Sequence, residues 1–81
     1  MLSLAALQAL VAVIEEGSFT RAAGRLAATQ SGVSQRIAKL ERNLDVVLLR
    51  APAGVMPTSA GQALYRKCVA ILDDTARAAA G

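Results

Sequence analysis

The sequence predicts a small, mainly α-helical domain with one short two-stranded hairpin and a long final helix, on three observations. Apolar residues recur at helical spacing in separate runs, including Leu4–Leu7–Val11–Ile14, Val33–Ile37–Leu40–Leu44 and Leu64–Cys68–Ile71–Thr75–Ala78. Between Leu44 and Thr58 the pattern changes to VVLLRAPAGVMP, two short extended pieces around a Pro-Ala-Gly turn. Finally, 81 residues support one modest core, which leaves no room for a sizeable enclosed ligand pocket.

The elements follow in order. Ser3 caps a first helix, the scaffold, and Gly17 stops it. Ser18 caps a second helix running through Phe19, Ala22, Ala23 and Leu26. Its alanines allow a close helix crossing, and Phe19 fills the space between helices. Arg21 and Arg25 are left facing out, where phosphates could be met. Thr29 caps a third helix. At about 100° per residue, Val33, Ile37, Leu40 and Leu44 fall on one core stripe. Ser31, Gln35, Lys39 and Arg42 lie opposite with Ala38 among them, and Gln30, Ser34 and Arg36 flank that face. Pro52 and Pro57 keep the hairpin small. From a cap at Thr58 or Ser59 about twenty residues are helical, a length of ~30 Å that overruns a body of three short helices. The domain division is 1–57 for the compact part and 58–81 for this helix.

The third helix carries the functional signal. Its exposed face begins with hydroxyls and amides and ends with cations. Gln and Ser donate and accept in fixed geometry at base edges, whereas Lys and Arg also neutralise phosphates. Two amphipathic helices joined by a tight turn over 18–44 read as a helix-turn-helix, which places its second helix in the major groove. Periodicity alone fits a merely solvated polar face equally well; the spacing of caps, alanines and basic residues favours DNA.

Charge agrees. The chain has nine basic and six acidic residues, for a net +3. From Thr20 to Lys67 there are eight cations against Glu41 and Asp45, a local +6, while Glu15, Glu16, Asp73 and Asp74 lie toward the ends. A basic middle suits a polyanion.

With these residues in view, GSFTRAAGRLAATQSGVSQRIAKLE, followed by LLR and PTSAG, resembles the N-terminal winged helix-turn-helix of LysR-type transcriptional regulators, over about Leu4 to Leu72. Within that family LQALVAVIEEGSF, TQSGVSQRIAKLE and PT in place of LT are most similar to the regulators of lysine and arginine export. The resemblance implies that Gln30, Ser31, Ser34 and Gln35 approach base edges or adjacent backbone. It sets Arg36 and Lys39 nearer phosphates and Arg50 at the base of the wing. Ser18 and Arg21 complete the expected DNA-binding set. Three departures stand out. Ser31 replaces the usual proline, as in the export subfamily. Asp45 replaces the glycine after the recognition helix, where a left-handed cap is expected. The wing, roughly Ala51 to Met56, has no cation to offer a minor groove.

The resemblance also implies that the final helix is a linker helix, pairing with its copy and leading to a ligand-sensing domain of the periplasmic-binding-protein type beyond this chain. Leu64, Cys68, Ile71, Leu72 and Thr75 are the expected dimerisation residues, although the first two turns of that stripe pack back on the helix-turn-helix in any case. The expected partners are double-stranded DNA, as a palindromic operator, and a second copy of the chain, with a tetramer open to the full-length protein.

Other classes fare worse. There is no histidine, the carboxylates are scattered and no Gly-rich phosphate loop is present, so catalysis is not expected. Cys68 is alone, leaving no disulfide within the chain and no transition-metal site with ordinary ligands, and no cofactor is expected. No stretch suits a membrane span or a signal peptide, and a cytoplasmic location is expected. The alternative function is a dimerising helical protein-interaction module with a basic face. A molybdate-type regulator shares the GS and AA pattern, but VSQRIAKLE favours the LysR type.

Overall fold

The computed structural model describes residues 3–43, 47–51 and 54–80, with the backbone alone at 43, 49, 51, 75, 76, 79 and 80. Leu44 of the core stripe, the expected cap at Asp45, and Pro52 and Ala53 of the wing lie outside the described residues. Those described form α1 (Leu4–Glu16), α2 (Phe19–Arg25), α3 (Gln30–Asn43), β1 (Leu48–Ala51), β2 (Gly54–Pro57) and α4 (Ser59–Ala80).

Each helix starts on a hydroxyl. Ser3 accepts from the Ala6 amide at 3.1 Å, Ser18 from Arg21 at 3.2 Å, Thr29 from Gly32 at 2.9 Å and Thr58 from Gly61 at 3.0 Å. Such caps satisfy amides that have no partner within the helix. Gly17 ends α1 in the left-handed region (φ 67°), its amide donating to the Val13 carbonyl. Ala27, in the turn between α2 and α3, also has positive φ (53°). That turn leads into α3, which packs on α2, and the small pair Ala22 and Ala23 of α2 is buried.

Val33, Ile37 and Leu40 on α3 are fully buried, as their spacing predicts. The first helix differs from expectation. Leu4, assigned to its core stripe, is 47% exposed, while Leu10 and Val13, outside the stripe, are completely buried. The cause is position: α2, α3, α4 and β2 all pack on α1, so its apolar surface is covered on several sides. Together with Val47 and Cys68, these residues build the core, which contains no buried polar side chain among the described residues.

The hairpin is antiparallel, pairing Leu48 with Pro57, Leu49 with Met56, Arg50 with Val55 and Ala51 with Gly54. Three bonds anchor it. The Glu41 carboxylate on α3 accepts from the amides of Val47 (2.9 Å) and Leu48 (3.3 Å), and the Val55 amide donates to the Gly17 carbonyl at 3.1 Å. At Val47, the carbonyl accepts from the Thr58 amide at 3.0 Å, fixing where α4 departs. The 22 residues of α4 give a helix of about 33 Å in a molecule extending 42 × 25 × 20 Å.

Candidate nucleic-acid interface

The interface is built outward from α3. With Val33, Ile37 and Leu40 turned inward, Gln30, Ser31, Gln35 and Lys39 are exposed and Ser34 and Arg36 half-exposed. Gln30, Ser31, Ser34, Gln35 and Ala38 line one shallow depression on this outer face. The polar, uncharged end of the helix is therefore open over its first two turns, and Arg36 and Lys39 come after it. Chemically this offers directional donors and acceptors first and charge second, groups of the kinds that contact base edges and phosphates.

A second concavity adjoins the first. A cleft of about 730 Å³ between α2 and the hairpin is lined by Ser18, Phe19, Arg21, Gln30, Arg50 and Met56 among others. Gln30 belongs to both concavities. Here the structure brings together the four outlying residues of the expected set: Ser18, whose oxygen caps α2; the exposed Arg21; Gln30; and Arg50, whose guanidinium carbon lies 4.7 Å from the centre of the Phe19 ring. Thr20, which sequence reasoning missed, donates from Oγ1 to Gln30 Oε1 at 3.4 Å.

Arg25 corrects an expectation. Read as a cation available to phosphates, it instead forms ion pairs with Glu15 (2.8 Å) and Glu16 (3.4 Å) at the end of α1. The Tyr65 hydroxyl on α4 donates to the same Glu15 at 2.6 Å. That hydrogen bond, with the Arg25 guanidinium, holds the Glu15 carboxyl below its ordinary range, while the Glu15 carboxylate raises both the Tyr65 hydroxyl and the Arg25 guanidinium. Nothing in the local pattern of α1, α2 or α4 signals this network, because its members are distant in sequence.

The expected dimerisation residues divide. Cys68 is completely buried in this chain's own core, and its burial pushes the thiol pKa up. Leu64 and Leu72 are half-buried against the same core. They share one face of α4 with the buried Gly61, so this part of the stripe is covered within the chain, and Cys68 in particular is corrected from a pairing residue to a core residue. Ile71 remains 47% exposed, joined by Val69 at 39%, which sequence reasoning missed. The backbone alone is described at Thr75. Among the described residues no His, Cys, Asp and Glu group is arranged to hold a metal ion, and no helix is long and apolar enough to cross a membrane.

A recognition helix seated on a shorter crossing helix, with a two-stranded wing beside them, defines a winged helix-turn-helix. The family model described as "Bacterial regulatory helix-turn-helix protein, lysR family" matches residues 4–62, and the chain belongs to that family. It is 46% identical over 81 residues to an "uncharacterized HTH-type transcriptional regulator in ibpB-leuC intergenic region" of Azotobacter vinelandii, covering 95% of this chain and 56% of the relative. It is 52% identical over 59 residues to the HTH-type transcriptional regulator ArgP of Proteus mirabilis, covering 73% of this chain and 20% of ArgP. The chain thus spans about half or less of these relatives' lengths. The crystal structure of the BenM DNA-binding domain with its catB site 1 DNA superimposes with a TM-score of 0.90 at 33% identity, over 96% of this chain and 89% of that one. Fold and family together make this chain a LysR-type helix-turn-helix DNA-binding domain.

Proposed function

We propose that the chain reads a palindromic operator as a homodimer, with α3 of each copy in a major groove and α4 joining the copies. The observation that carries this reading is the outer face of α3, where Gln30, Ser31, Ser34 and Gln35 line one open depression ahead of Arg36 and Lys39. Ser34 and Gln35 read base edges; Arg36, Lys39 and Arg21 anchor phosphates. Pairing uses the exposed Ile71 together with its neighbour Leu72, which is only partly covered. Relatives of this family are transcriptional regulators, and the chain acts as the DNA-binding part of such a regulator in the cytoplasm, without catalysis or a resident cofactor.

The test is a binding series on duplexes selected from a random pool. Gln35→Ala or Ser34→Ala costs about 1–3 kcal/mol on the selected duplex and relaxes preference at one or two positions. Arg36→Ala instead weakens all duplexes alike and makes the salt dependence shallower by about one unit. Equal losses on selected and random duplexes for both kinds of variant would remove Ser34 and Gln35 from the readers.

A further inference from the structure

Arg25, the last residue of α2, and Arg50, on β1, are held in opposite ways. Arg25 is bound by the Glu15 and Glu16 carboxylates, so its charge is compensated and its N–H donors are engaged. Arg50 is exposed, and its guanidinium lies over the Phe19 ring at 4.7 Å. A ring face attracts a cation without neutralising it and without accepting its in-plane hydrogen bonds. The one Phe of the chain thus holds a guanidinium that keeps its full charge.

The surroundings fix where that charge sits. Arg50 pairs with Val55 across the hairpin, and the Val55 amide is bonded to the Gly17 carbonyl. At the adjacent Gly54 (φ 143°) a Cβ would lie 2.8 Å from the same carbonyl oxygen, so only glycine lets the hairpin seat this closely. The cleft next to Arg50 also contains Ser18, Thr20 and Arg21. Glu16 lines it too, but its carboxylate is paired with Arg25. Among the described residues, the charge that lines the cleft without a carboxylate partner is therefore that of Arg21 and Arg50.

We propose that Phe19 is a positioning residue for DNA-backbone contact: its ring holds the Arg50 guanidinium at the cleft between α2 and the hairpin, ready for a duplex phosphate entering there. This rests on the DNA-binding reading. A free arginine loses rotamer freedom when it meets a phosphate, and the ring removes part of that loss before binding.

The experiment is a double-mutant cycle on the 81-residue chain, read as affinity for one selected and one mixed-sequence duplex over a range of salt. Arg50→Ala makes the salt slope shallower by about 0.9 on both duplexes, as for one lost phosphate contact. Phe19→Leu weakens binding to both about two- to fivefold, the worth of an exposed cation–π contact, but has no effect in the Arg50→Ala background, and Phe19→Tyr matches the parent. Equal weakening by Phe19→Leu in both backgrounds marks a merely structural role and overturns the proposal, as does an unchanged slope for Arg50→Ala. The parent's own NMR spectrum tests the ring contact whether or not Phe19→Leu folds: Arg50 side-chain protons shifted upfield by the ring support it, and random-coil positions overturn it. A parent that binds no duplex would instead overturn the DNA-binding reading itself.

Discussion

At position 61 the chain has no room for a methyl group. An ideal Cβ there would stand 2.0 Å from the Val47 carbonyl oxygen and 2.9 Å from its carbon, both backbone atoms that cannot swing aside. The contact matters because Val47 also receives the Thr58 amide and donates its own to Glu41, tying α3, β1 and α4 at one point. Gly61→Ala should cost about 1–3 kcal/mol, the usual range for overpacking a closed site. Urea unfolding would show it as a lower midpoint at unchanged slope, and a variant as stable as the parent would mean that α4 shifts freely. Glu41 illustrates what was not legible at this scale. In the sequence it is one acid in a basic stretch, whereas in the structure it accepts two hairpin amides, a role that depends on where the chain returns after α3.

Among the elements, α4 does two jobs along its length. Gly61, Leu64, Cys68 and Leu72 turn toward the body of the domain, while Val69 and Ile71 face out. Heptad-like spacing alone put Leu64, Cys68 and Ile71 on one stripe, and a stripe cannot say which of its members a neighbouring helix covers. Since Ile71 is half-exposed in the single chain, Ile71→Glu should leave the helix-turn-helix folded while separating the copies, because a charge in a paired apolar face would be desolvated. Affinity for a full palindrome should fall toward that of a half-site as the gain from effective concentration is lost. Sedimentation decides the matter: a variant that stays dimeric, or a parent that is monomeric at high concentration and on DNA, sinks the dimer reading and leaves the DNA-binding assignment standing.

On the scale of the whole molecule, the Glu15–Arg25–Tyr65 network joins α1, α2 and α4 without burying a charge. Because the folded-state pKa of Glu15 lies below its unfolded value of 4.5, its contribution is fully present above that value and is lost as pH falls through the lowered folded one. Tyr65 is shifted the other way, so its part is present below its ordinary value of 10.0 and fades as pH rises through the higher folded one. Tyr65→Phe should therefore move the acid unfolding transition to higher pH, followed by circular dichroism, with the difference shrinking at high salt as exposed charges are screened. Superimposable acid transitions would show that the hydroxyl adds nothing to the cohesion of the three helices.

Local chemistry by itself determined the helix starts at Ser3, Ser18 and Thr29, the stop at Gly17, the buried stripe Val33–Ile37–Leu40 and the polar face opposite it, because caps and periodicity act within one or two turns. It also marked the hairpin, through a change of period around Pro and Gly. Only the tertiary structure decided that α1 is covered on several sides, that Cys68 belongs to the core, that Arg25 answers to Glu15 and Glu16, and that Arg50 rests on Phe19. Each of these depends on which element lies next to which. A side chain's spacing along its own helix shows the face it occupies, but what covers that face is set by residues far away in the chain.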